Sequence, residues 1–80
     1  MDKDLAKHVV ISTFRAMSEL QELLPLLKAH CNPAEYDKYL KAIASVAALA
    51  STDLIQPVYT AFPDIEQKLG AQMDKYGKLI

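Results

Sequence analysis

The stretch from residue 5 to residue 27, LAKHVVISTFRAMSELQELLPLL, decides the fold. Its apolar residues recur at steps of three and four, which places them on one side of an α-helix. They are Leu5, Val9, Val10, Phe14, Met17, Leu20, Leu23, Leu24 and Leu27. A helix from Lys3 to Leu24 would be about 33 Å long, and a globule of this chain length is only about 30 Å across. We therefore expect this helix to cross the whole molecule, with the others lying along it.

Pro25 lies inside the same pattern. A proline in a helix removes one backbone hydrogen bond and clashes with the carbonyl four residues earlier, here that of Gln21. Leu27 nevertheless stays in phase with Leu20 and Leu24, so we expect the helix to kink at Pro25 and not to end there.

The clearest local signal is Asn32-Pro33-Ala34-Glu35, which is typical of a helix N-terminus. Asn32 can accept a hydrogen bond from a free amide of the first turn, and Glu35 can reach back to the cap amide. Pro33 suits the first helical position because it has no amide to leave unpaired. A second helix is therefore expected from Pro33 to about Ala50.

Two further helices are expected in the rest of the chain. Ser51-Thr52-Asp53 is a run of capping residues, which predicts that Asp53 caps a short third helix over 54–61. Phe62 precedes Pro63, so Pro63 should begin a fourth helix that ends near Gly77. The short connections make successive helices antiparallel neighbours. The predicted fold is all-α: a small antiparallel bundle of three main helices and one short helix, forming one domain over residues 1–80.

Composition excludes several classes of function. Nine basic and ten acidic residues are well mixed, with a formal net charge of −1, so no basic stripe is present to bind nucleic acid. The N-terminal residues lack a signal-peptide pattern, and the longest nearly apolar run, 43–50, is too short to span a bilayer. We therefore expect a cytoplasmic protein without membrane insertion.

The residues that could carry chemistry are sparse. His30 and Cys31 are adjacent, and neighbouring side chains rarely point together as a catalytic pair must. His8 lies about 33 Å from His30 along one helix, too far to share a metal ion. The sequence therefore predicts no catalytic residue, metal site or cofactor, and it favours a non-enzymatic protein with Cys31 in a structural role.

Three functions remain open at the level of sequence. The first is a protein–protein interaction or self-association module, with a homodimer as the expected assembly. Its expected interface, centred on the Ile11 side of the first helix, is formed by Val9 and by three apolar residues that lie off the main stripes: Ile11, Leu26 and Leu49. The second is a carrier or sensor of a small apolar ligand, and the third and weakest is a thiol-based activity at Cys31. The carrier would use a pocket lined by Phe14, Met17, Tyr36, Tyr39, Tyr59, Phe62 and Met73.

Overall fold

The structure, a computed structural model, describes residues 1–77, which form helices and contain no strand. The helices in chain order are α1 (Lys3–His30), α2 (Pro33–Ala50), a π-helical turn (Ser51–Ile55), α3 (Gln56–Ala61) and α4 (Pro63–Tyr76). The prediction of an all-α fold is confirmed. The antiparallel arrangement of the whole bundle stays a prediction.

Helix α1 continues through Pro25 to His30. The expectation that the helix does not end at Pro25 is therefore confirmed. Asp2 caps its start by accepting a 2.8 Å hydrogen bond from the Leu5 amide. At the usual rise per residue, a helix of this length extends about 42 Å. The longest dimension of the molecule is 44 Å, so the length of α1 sets the length of the protein.

The start of α2 follows the sequence prediction. The Asn32 side chain accepts a 2.8 Å hydrogen bond from the Glu35 amide, and Glu35 accepts a 3.3 Å bond from the Asn32 amide. Pro33 occupies the first turn. The predicted capping box is confirmed.

The predicted break after Ala50 is wrong, as is the assignment of Asp53 as a helix cap. The chain remains helical through the π-helical turn, and Ile55, the residue before α3, has no side-chain capping bond. A π turn inserts an extra residue into the helix and so changes which side chains face inward. Ile55 and Val58 are buried in the core. We infer that burial of these two side chains favours a continuous helix here, whereas the capping preference of Asp53 would favour a new helix start.

The boundary between α3 and α4 is as the sequence predicts. Phe62 has φ −134° and ψ 76°, outside the helical region, and Pro63 begins α4. Gly77 ends α4 with φ 70°, a left-handed conformation that glycine adopts without steric cost. The Gly77 amide donates to the Met73 carbonyl over 2.8 Å. Residues 78–80 lie outside the described part of the chain.

The core lies at one end of α1. Its buried apolar residues are Ala6, Val10, Ile55, Val58, Ile65 and Leu69. Thr13 is buried beside them, and its hydroxyl donates to the Val9 carbonyl over 2.7 Å. These residues come from the first half of α1, the π turn, α3 and α4.

Helix α4 covers only part of α1. Lys3 forms an ion pair with Asp64 near the start of both helices, and Glu22 lines the same cavity as Gly77 at the end of α4. Helix α4 has half as many residues as α1, so its length is about 21 Å. We call residues 3–19 and 51–76 the core half, and residues 20–50 the hairpin half.

Candidate interaction surface

The hairpin half consists of two helices, and α2 contributes no buried residue at all. Large apolar side chains on both helices are instead exposed, among them Leu26 at 57% and Leu49 at 62%. Five of these form the surface that we call the hairpin face: Leu23, Leu26, Tyr39, Val46 and Leu49. The face is therefore apolar surface that the chain does not cover itself.

On α2 the hairpin face has the spacing of a helix that packs against other helices. Tyr39, Val46 and Leu49 are separated by seven and three residues, and Ala42 completes a 3-4-3 series. At about 100° per residue, the three large side chains lie within roughly 80° of one another around the helix. They therefore form one stripe along α2 and are not scattered around the helix.

Two of the four charged residues of α2, Asp37 and Lys41, lie away from this stripe. The Lys41 Nζ and an Asp37 carboxylate oxygen form an ion pair of 2.8 Å. Around the helix, Asp37 lies about 180° from Val46, and Lys41 lies about 140° from it. The hydrogen bond with Asp37 and the negative charge of that carboxylate raise the pKa of Lys41.

The other two charged residues, Glu35 and Lys38, lie in the first two turns of α2. Around the helix, Glu35 lies about 20° from Val46, and Lys38 lies about 20° from Leu49. The stripe on α2 is therefore free of charge only from Tyr39 onward.

The structure divides the predicted interface residues into two pairs. Val9 and Ile11 are partly buried and pack against the core, so they support the fold of the core half. Leu26 and Leu49 belong to the hairpin face. The Ile11 side of α1 is therefore partly covered within the chain.

Leu23 and Val46 were not among the predicted interface residues, and Tyr39 was expected to line a pocket. Leu23 belongs to the main apolar stripe of α1, and such a stripe is normally core. The segment between Pro63 and Gly77 is only half as long as α1, which indicates that part of α1 lacks a third helix. It does not indicate which side of α1 stays uncovered.

The predicted pocket residues occupy several separate places. Phe14, Met17, Tyr59 and Phe62 pack around the core. Phe14 and Met73 line an open cavity of about 400 Å³, together with polar and charged residues of α1 such as Arg15 and Glu19.

A second cavity adjoins the core. Phe62 lines this open cavity of about 270 Å³, whose other walls include Ala6, Pro57 and Val58. Tyr36 and Tyr39 lie on α2 in the hairpin half. Phe14 with Met73 is thus the one predicted pair that shares either of these two cavities.

His30 and Cys31 lie at the connection between α1 and α2. Cys31 is partly buried, and its amide ends α1 by donating to the Leu27 carbonyl over 2.8 Å. Within residues 1–77, no group of three or more His, Cys, Asp or Glu side chains is arranged to hold a metal ion. Cys31 thus contributes a backbone hydrogen bond to the end of α1.

Because the π turn joins α2 to α3, one helical segment is longer than the sequence predicted. Pro33–Ala61 contains 29 residues and is long and apolar enough to cross a membrane by length and composition, which is weak evidence for a span. Lys41 and Asp53 limit its uncharged central part to residues 42–52. That part is about 17 Å long, whereas the hydrocarbon core of a bilayer is about 30 Å thick.

Comparison of the chain with protein-family models, curated proteins and solved structures finds no match.

Proposed function

We propose that this protein is a small, non-enzymatic protein–protein interaction module that binds its partner through the hairpin face. The observation that carries the proposal is that α2, a helix of 18 residues rich in apolar side chains, buries none of them. Contiguous exposed apolar surface on a soluble protein is typical of an interaction site.

The energetics of the hairpin half support this function. Short helices in water gain most of their stability from packing of an apolar face, and two helices alone provide little of it. In the core half, α4 supplies a third layer with Ile65 and Leu69. In the hairpin half a partner helix would supply the equivalent layer.

We propose the cytoplasm as the place of action, since a bilayer suits the hairpin half less well than a protein does. A charged residue at the centre of a membrane helix costs about 2.5–3.5 kcal/mol on insertion scales. Placing 42–52 at the bilayer centre would leave Lys41 and Asp53 within the hydrocarbon. A protein partner can cover Val46 and Leu49 and leave these charges in water.

Site-specific photocrosslinking in cells tests the proposal. A benzophenone amino acid in place of Leu49 should give discrete protein adducts, because Leu49 lies on the hairpin face. The same amino acid in place of Gln67, exposed on α4, is the matched control and should give none. Adding Leu26→Glu to the Leu49 probe should abolish the adducts. No protein adduct from Leu49, or adducts with lipid alone, would contradict the function.

The carrier alternative has less support. The cavity beside Phe62 is mainly apolar, but it is open and measures only about 270 Å³. Typical ligand sites enclose roughly 300–1,000 Å³. The cavity of about 400 Å³ beside Phe14 has Arg15, Glu19 and Glu22 in its wall. An open groove of about 700 Å³ beside Leu20 and Leu23 also has Glu19 and Glu22 in its wall, and both suit an apolar ligand poorly. The thiol alternative rests on Cys31 alone.

A further inference from the structure

We propose that the partner on the hairpin face is a second copy of this chain, and that two hairpin halves form a four-helix bundle around a two-fold axis. This inference rests on the proposed function and names the partner. Three features of the chain support it: the common orientation of the exposed residues, the amount of uncovered surface, and the distribution of charge.

The exposed residues of α1 and α2 face the same side of the hairpin. Cys31 and Asn32 alone connect the two helices, and Ala6 and Ala61 line one cavity at the far end. The chain therefore runs in opposite directions along them.

Leu24 on α1 and Ala47 on α2 are partly buried and mark the sides by which the two helices meet. Leu23 and Val46 each precede these residues by one position, or about 100°, so in an antiparallel pair they turn toward the same side.

That side faces away from α4. The cavity shared with Met73 is lined by residues from a different side of α1, such as Phe14 and Ser18. Helical geometry places Leu23 about 140° and Leu26 about 80° around α1 from Ser18. Helix α4 therefore leaves Leu23 and Leu26 exposed.

The amount of uncovered surface matches a dimer. The chain has 5814 Å² of accessible surface, whereas a folded monomer of its mass is expected to have about 4,800 Å². The excess is about 1,000 Å² over the whole chain, to which core-half residues such as Leu5 and Leu54 contribute, and a typical stable interface covers about 800 Å² on each partner. The radius of gyration of 14.8 Å, against about 12 Å expected for this length, reflects the same open shape.

The charge distribution favours self-pairing. A partner of opposite charge would be indicated by a surface of one sign. The charges beside the hairpin face are of both signs, however. Glu19 and Glu22 line a cavity with Leu23, and Lys38 lies about 20° around α2 from Leu49. The chain has a formal net charge of only −1. Two copies can therefore approach without strong repulsion. The 3-4-3 spacing on α2 suits helix packing in a four-helix bundle, and a two-fold dimer is the commonest closed assembly.

Sedimentation equilibrium of the full chain from 1 to 200 µM tests this inference. The unmodified protein should sediment as a dimer at the upper concentrations. Leu26→Lys should raise the dissociation constant at least about tenfold, because it places a charge in the apolar interface. The control Tyr76→Lys changes a side chain of similar exposure at the end of α4 and should leave the dimer unchanged. Far-UV circular dichroism of each variant verifies folding, and Leu49→Lys replaces Leu26→Lys if that chain unfolds.

A folded monomer at 200 µM would overturn the inference, and so would a dimer that withstands Leu26→Lys and Leu49→Lys alike. The proposed function is judged separately on the Leu49 photocrosslink. If a monomeric chain still gives protein adducts from Leu49, the partner is a different protein and the function stands. If the chain instead floats with phosphatidylcholine–phosphatidylglycerol vesicles and gives no protein adducts, both proposals fail.

Discussion

The two halves of the molecule share α1 but use it differently. In the core half α1 is covered by α3 and α4, and Val10 and Leu69 are fully buried. In the hairpin half the same helix meets only α2, and residues with the same apolar character, such as Leu23 and Leu26, are exposed. An amphipathic pattern thus becomes core only where another part of the chain packs against it. Where none does, residues of the same pattern stay exposed.

The largest expected effect comes from removing a core side chain. Leu69 is 1% exposed, and Leu69→Ala should lower the free energy of unfolding by about 2–5 kcal/mol because its loss leaves a cavity. Leu23→Ala, the matched change in the hairpin half, should cost about 1 kcal/mol or less in the monomer because that side chain is already partly in water. Urea unfolding at low micromolar concentration measures both. Equal costs would contradict the division into two halves.

Pro25→Ala should stabilise the hairpin half. The substitution restores an amide that can bond to the Gln21 carbonyl, and proline is about 3 kcal/mol less favourable than alanine inside a helix. Because proline also restricts the unfolded chain, we expect a net gain of about 1–3 kcal/mol in urea unfolding. Pro33→Ala is the control, since Pro33 lies in the first turn of α2, where a helix tolerates proline, and it should give no gain. A loss of stability in Pro25→Ala would contradict the prediction.

The helix cap of the hairpin half should have a smaller effect. Asn32→Ala removes the bond to the Glu35 amide and should cost about 1 kcal/mol. For a domain of this size, the melting temperature should fall by about 4–8 °C. Asn32→Asp keeps an accepting oxygen and should retain most of the stability. An unchanged melting curve for Asn32→Ala would show that this bond contributes nothing.

The smallest expected effect is a dependence on alkaline pH in the core half. Partial burial, and secondly the charge of Glu66, raise the pKa of Tyr59 above its ordinary value of 10.0. The folded state then holds this proton more tightly than the unfolded state does. Its contribution to stability is complete below the unfolded pKa and falls as the pH rises through the folded pKa. Urea unfolding at increasing alkaline pH should show a steeper decline for the unmodified protein than for Tyr59→Phe. Identical declines would contradict the assignment.

Helix ends could be predicted where short-range interactions decide them. Asn32 with Glu35, Pro63 after Phe62, and Gly77 each mark a boundary that the structure confirms. In each case the physical cause lies within a few residues: a side chain bonds to a nearby amide, a ring restricts its neighbour, or a missing Cβ permits positive φ.

The candidate surface was only partly predictable, because exposure depends on contacts between residues that are far apart in the chain. Leu26 and Leu49 lie off the main apolar stripes and could be predicted as exposed residues. Leu23 and Val46 are also exposed, but they have the periodicity expected of core residues. Which apolar residues are covered depends on the side of the α1–α2 pair that α4 occupies, and no local pattern records that side.

The sequence by itself determined the helical class, the start of α2 and the two ends of α4, because local backbone preferences and capping bonds act over three or four residues. Tertiary structure alone decided that Ser51–Ile55 forms a π turn, that Ile11 packs against the core, and that the hairpin half remains open. The physical reason is that burial depends on the distance between helices remote in the chain. Burial of Ile55 and Val58 against the rest of the core half is strong enough to override the capping signal of Asp53.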